Sequence, residues 1–175
     1  QPAAQQSADW PRWRGAAFNG AATTGRRIFD KPFELHVRWR ASLGAGYSGV
    51  VVGGGRAVTM FSDGTNDVLV ALDAGSGAEA WRTVIAPTYP GRDGSTGGPV
   101  STPAIDDDAV YALGPRGDLL AVGMRDGRLL WRRHLVADLQ AAIPHWGFTT
   151  SPLVAGDVVI VLGGGGQGRA VVAFD

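Results

Sequence analysis

The residues of this 175-residue chain whose types could do chemistry are few: three histidines, an aspartate triplet and one glycine-rich run. His36, His134 and His145 show no metal-ligand spacing, and none sits in an H-E-x-x-H motif. Asp106-Asp107-Asp108 suggests calcium, but a calcium loop needs more oxygen ligands at alternating positions. The matching stretch downstream reads Ala155-Gly156-Asp157, so a hairpin turn is expected at both places. Gly163–Gly168 satisfies G-x-G-x-x-G, yet a phosphate cradle needs a helix behind it. Arg169–Phe174 reads as another strand, so a flexible hairpin loop is expected, and no P-loop lysine is present. Cysteine is absent, which removes disulfides, thiolate ligands and cysteine nucleophiles together. No catalytic, cofactor-binding or metal-binding residue is therefore assigned.

Charge narrows the partners further. Lys plus Arg and Asp plus Glu both number 16, so no global field draws in nucleic acid or an anionic membrane. Lys31 is the single lysine, and GC-rich coding explains the arginine bias more cheaply than bidentate recognition. No apolar run approaches the roughly 18 residues needed to cross a bilayer. The polar opening Gln1–Asp9 lacks a cationic and apolar leader, and is what often remains after signal cleavage. A periplasmic or secreted location is expected on that ground.

Any site must be positioned by repeated elements. Ser101–Gly114 reads STPAIDDDAVYALG and Thr150–Gly163 reads TSPLVAGDVVIVLG, 49 residues apart. Ala71–Trp81 reads ALDAGSGAEAW and Ala121–Trp131 reads AVGMRDGRLLW, 50 residues apart, and a third copy begins at Ala173-Phe174-Asp175. Trp39, in VRWRASL, lies 42 residues before Trp81. Such a period marks supersecondary units stacked as an array.

Each period reads as short strands separated by turn residues. The first holds Val50–Val52, Ala57–Phe61, Val68–Leu72 and Ala78–Val84. The second holds Thr102–Ile105, Ala109–Leu113, Leu119–Met124 and Arg128–Leu135. Thr150–Val154, Val158–Leu162 and Arg169–Phe174 make up the third, and Asp138–Ile143 allows one helical turn. With Trp39 assigned to a further fourth strand, the expected count is one, four, four and three strands, or three blades' worth. Four antiparallel strands per period is the geometry of a β-propeller blade. One such sheet cannot hide both faces, so neighbouring blades must stack. Trp39, Trp81 and Trp131 are expected to cover the seams, each worth at most about 4–6 kcal/mol. The glycine four residues before each later tryptophan leaves room for an indole.

Ala71-x-Asp73-x-x-x-Gly77-x-x-x-Trp81 resembles the tryptophan-docking signature of the pyrroloquinoline-quinone (PQQ)-like propeller repeat. The second copy keeps Ala121, Gly127 and Trp131 but has Gly123 in place of Asp. Asp9-Trp-Pro-Arg-Trp-Arg-Gly15 and His145-Trp-Gly-Phe-Thr-Thr-Ser-Pro152 also resemble segments of secreted bacterial propellers of this type. The resemblance implies an all-β propeller of four-stranded antiparallel blades, about eight in the full protein, with this chain a partial ring. Residues 1–35 are expected as an N-terminal lead-in, packed against the propeller side, and 36–175 as blades. The group includes quinoprotein dehydrogenases, which carry an adjacent cysteine pair over the quinone and a calcium-ligand set. With no cysteine here, PQQ with calcium is expected only if the chemistry lies outside this segment.

In a blade, the connection to the next blade emerges on the same face as the second-to-third-strand loop. The long loops here all belong to that face: Ser62–Asp67, Pro87–Pro99, Pro115–Asp118, Asp138–Gly147 and Gly163–Gly168. Long loops on a rigid scaffold are where binding resides. Tyr89, Arg92, Arg116, His145 and Trp146 are the candidate ligand-face residues. The expected function is a non-enzymatic, extracytoplasmic binding or scaffold protein engaging a protein or small ligand through this face. The alternative is a quinoprotein dehydrogenase, or another propeller enzyme, with its active residues elsewhere.

Overall fold

A computed structural model describes residues 9–22, 33–164 and 168–175. Its long strands are buried on both faces, which is why the sequence shows continuous apolar runs rather than strict alternation. The first sheet comprises β1 (Val51–Gly53), β2 (Arg56–Ser62), β3 (Asn66–Asp73) and β4 (Glu79–Pro87), hydrogen-bonded in that order. All but the first residue of β2 and all but the end residues of β3 are buried. Gly54 and Gly55, with φ of 53° and 74°, make the tight turn between β1 and β2, a backbone that favours glycine at both positions.

The second sheet repeats the order with β5 (Ala104–Asp106), β6 (Ala109–Leu113), β7 (Asp118–Gly123) and β8 (Leu129–His134). After helix α1 (Leu135–Leu139), β9 (Leu153–Ala155), β10 (Val158–Leu162) and β11 (Val171–Phe174) form a three-stranded sheet. The short first strand of each sheet lies innermost and the half-exposed fourth strand outermost. One apolar seam joins sheets one and two through Val58, Met60, Leu69 and Trp81 against Ile105, Val110, Leu120 and Met124. A second joins Leu113, Leu119 and Leu135 to Phe148, Val154, Val159 and Val161. The architecture is that of stacked propeller blades.

Trp81 and Trp39 each dock on the unit that follows them in the chain. The Trp81 indole N–H donates to the Met124 carbonyl at 2.9 Å, and a Cβ on Gly127 would lie 2.5 Å from the Trp81 ring. Trp39 repeats this on the preceding unit, donating to the Ala74 carbonyl at 3.0 Å with its ring over Gly77. The glycine four residues before Trp81 thus receives the indole of the unit before, not its own. In both four-stranded sheets the ladder slips one residue beside the tryptophan, between Ala71 and Leu72 and between Ala121 and Val122. A bulge there re-aims the side chain toward the neighbouring sheet.

Three expectations are corrected. Trp39 lies in extended chain outside any strand, because a fourth strand without a third beside it has no ladder partner; its indole docks regardless. The helical turn starts at Leu135 rather than Asp138, because His134 caps it: its Nδ1 accepts from the Ala137 N–H at 3.4 Å, while Asp138 accepts from the His134 N–H at 2.9 Å. His134 therefore ends β8 as a cap. Within the lead-in, Trp10–Arg12 pack on the first strands β1, β5 and β9 rather than on the propeller side; residues 1–8 and 23–32 lie outside the described residues.

Candidate functional site: the long-loop cleft

The loops between third and second strands and between successive sheets do meet at one end of the sheets. Leaving β4, the chain bonds back to the β2–β3 loop, with Thr88 N–H donating to the Thr65 carbonyl at 2.9 Å. It then turns at Arg92–Ser95, where the Arg92 carbonyl accepts from Ser95 N–H at 2.9 Å and Asp93 and Gly94 take φ of 50° and 80°. The next such loop, 140–152, is pinned where Phe148 N–H donates to the Pro115 carbonyl at 2.9 Å. A Cβ on Gly147 would lie 2.7 Å from Pro115, so glycine allows this crossing.

Between these loops opens a cleft of about 480 Å³, whose lining includes Tyr47, Tyr89, Arg92, His145, Trp146 and Thr149. Tyr89 O–H donates to the His145 carbonyl at 3.1 Å, and His145 Nε2 lies 2.8 Å from Asp93 Oδ2, so the two loops are tied twice. The His145 ring stands edge-on to Trp146 with centroids 5.1 Å apart. Of the five candidate residues, Tyr89, Arg92, His145 and Trp146 come together on this lining. Arg116 does not. Its guanidinium lies beneath the loop, donating to the Pro87 and Thr88 carbonyls at 2.9 and 3.1 Å, with its carbon 5.8 Å from the Tyr89 ring centroid.

One further residue lines the cleft, and a buried carboxylate lies beneath it. Tyr47 reaches it from the segment before β1, its hydroxyl accepting from the Thr96 N–H at 3.2 Å. Asp67 is fully buried at the foot of the Tyr89 loop. Its Oδ2 accepts from the Tyr89 N–H at 3.3 Å, and its Oδ1 has no hydrogen-bond partner. Burial pushes its pKa up to about 6, against the lowering pull of the Tyr89 N–H and Arg116; Asp63 and Asp118 add to the rise. The signal available in the sequence was an aspartate recurring at 67 and 118, at the start of the third strand of the first two units.

The remaining chemistry-bearing residues lie elsewhere. Asp106–Asp108 carry the β5–β6 turn, with Asp107 at φ 46°. His36 is exposed, 3.7 Å from Glu34. The glycine run lies between β10 and β11, which pair antiparallel; residues 165–167 lie outside the described residues. Among the described residues, no three histidine, aspartate or glutamate side chains converge closely enough to hold a metal ion.

A family model described as outer membrane protein assembly factor BamB matches residues 65–175. No curated protein matches the chain. Among solved structures, BamB from Moraxella catarrhalis superposes with a TM-score of 0.52 at 20% identity, covering 71% of this chain and 33% of that one. Quinohemoprotein alcohol dehydrogenase ADHIIG from Pseudomonas putida HK5 gives a TM-score of 0.52 at 22% identity, over 78% of this chain and 20% of that one. The chain spans about a third and a fifth of these proteins, and likeness at such identity shows the fold alone.

Proposed function

The chain belongs to the family described as outer membrane protein assembly factor BamB, a family of PQQ-like β-propeller repeats, and on that premise we propose that it is a non-enzymatic binding or scaffold protein. It acts outside the cytoplasm, in the periplasm or secreted, and engages a protein segment or small ligand through its long-loop face. One observation carries this reading: four side chains from loops 53 to 57 residues apart in sequence, Tyr89, Arg92, His145 and Trp146, share one aromatic cleft on a rigid support. Aromatic and arginine side chains supply large contact area at modest entropic cost, as binding surfaces require. No described helix is long and apolar enough to cross a membrane.

The residues present do not fit the calcium and quinone of a dehydrogenase. No acidic ligand set converges among the described residues, and the chain has no cysteine.

An NMR titration with a synthetic extended peptide of alternating aromatic and polar residues tests the reading. Shifts should concentrate at Tyr89, His145 and Trp146, and Trp146→Ala should weaken binding about tenfold, a typical cost for an aromatic anchor. Shifts confined to other surfaces would overturn it. So would dye-linked alcohol oxidation above background once quinone and calcium are added.

A further inference from the structure

Residues 10, 11 and 12 each meet a different sheet. Trp10 forms an isolated antiparallel bridge with Val52 of β1, donating to the Val52 carbonyl at 2.8 Å and accepting from its N–H at 2.9 Å. The Pro11 carbonyl accepts from Ile105 N–H of β5 at 2.7 Å. Arg12 donates from Nη1 to the Val154 carbonyl of β9 at 3.3 Å, and its Nη2 lies 3.4 Å from Asp106 Oδ1.

These contacts fall where the sheets need them. β1, β5 and β9 are three residues long and pair on one side alone, with β2, β6 and β10. Their opposite edges present backbone donors and acceptors that a passing chain can satisfy. Proline suits the middle position, since it offers a carbonyl and leaves no unpaired N–H. Behind them the chain folds back, with Gly15 N–H donating to the Arg12 carbonyl at 2.9 Å. Gly15 takes φ of 78°, and a Cβ there would lie 2.9 Å from the Trp10 ring, so glycine alone closes this turn. The apolar seams join neighbouring sheets pairwise, whereas these three residues reach all three.

We infer that the inner edges of β1, β5 and β9 form a docking surface for an extended Trp-Pro-Arg segment, filled in cis by Trp10–Arg12, which clasps the third sheet to the first. The docked segment also walls an axial cleft of about 580 Å³, with Arg12, Trp13 and Phe18 facing Thr102, Thr150 and Leu153. Val100 and Thr149 line both this cleft and the long-loop cleft, so docking of the lead-in sets how far the ligand face extends toward the axis.

Residue-resolved amide exchange on the full chain tests the clasp. Val52 and Ile105 amides report docking, while Val70 and Leu120, in the central strands, report global opening. Trp10→Gly should raise exchange at Val52 and Ile105 at least tenfold and leave Val70 and Leu120 unchanged. Excess free peptide with the sequence of residues 9–20 should restore both reporters. Should Trp10→Gly fail to fold, Arg12→Ala decides: losing its bond to the Val154 carbonyl should loosen the segment, with faster exchange at Val52 and Ile105 and unaltered central strands. Reporters that do not respond, that rise in step with Val70 and Leu120, or that the peptide does not restore would each overturn the assignment.

Discussion

Replacing Asp67 with asparagine should flatten the dependence of stability on pH. Asp67 is fully buried, one of its oxygens lacks a partner, and its pKa stands at about 6 in the folded chain. In the unfolded chain an aspartate titrates near about 3.9. Between those values the folded protein holds a proton that the unfolded chain has released. Stability from this group is therefore fully present below about pH 4 and lost as pH rises through about 6. A gap of about two pKa units corresponds to at most about 3 kcal/mol. Urea denaturation of both proteins from pH 4 to 8 measures it. Asp67→Asn should match the parent or fall slightly below it at pH 4, since the amide keeps the size but aims a donor into the site. Its stability relative to the parent should then rise by about 2–3 kcal/mol by pH 7. Asp73 and Glu79, whose pKa values are lowered by hydrogen bonding away from Asp67, titrate alike in both proteins and cancel in the difference. Parallel profiles, or a relative stability that falls with pH, would refute the reasoning.

Gly127→Ala should cost about 2–4 kcal/mol in thermal denaturation, from a left-handed backbone at φ 68° plus a Cβ driven into the Trp81 ring. Gly156→Ala shares the backbone strain at φ 59° but meets nothing within 4 Å, so about 1 kcal/mol is expected. Arg116→Ala removes donors from the Pro87 and Thr88 carbonyls and should cost about 1–2 kcal/mol in urea denaturation. Tyr89 and Thr88 amides should exchange faster in that variant. Asp93→Asn alters a hydrogen bond to His145 whose side chains are 59% and 64% exposed, so stability should change by less than about 1 kcal/mol.

The scaffold was legible because burial on both faces writes itself as runs of valine and leucine. Ala109–Leu113 and Val158–Leu162 fall at the expected bounds, and most other strands within a residue or two. Trp39 misled for a physical reason: its motif specifies where an indole docks, and docking survives without pairing. Tyr89, Arg92, His145 and Trp146 could be grouped beforehand, since strand topology brings their loops to one end. Their neighbour could not. Tyr47 enters the site only through the way the 87–99 loop folds back, a long-range contact with no local signature. Arg116 shares the loop face but spends its donors on carbonyls, so composition overstated its access.

Each glycine turn accepts the indole of the unit before it, while the tryptophan of the same motif serves the unit after it. A tandem duplication therefore arrives with both halves of the joint, a lock for its predecessor and a key for its successor. Copies are compatible with their neighbours at birth, in one orientation only. Drift within a unit is constrained from both sides, because changing the glycine strains one joint and changing the tryptophan empties the other. An array built this way lengthens easily by copying whole units and tolerates poorly the splicing of half of one.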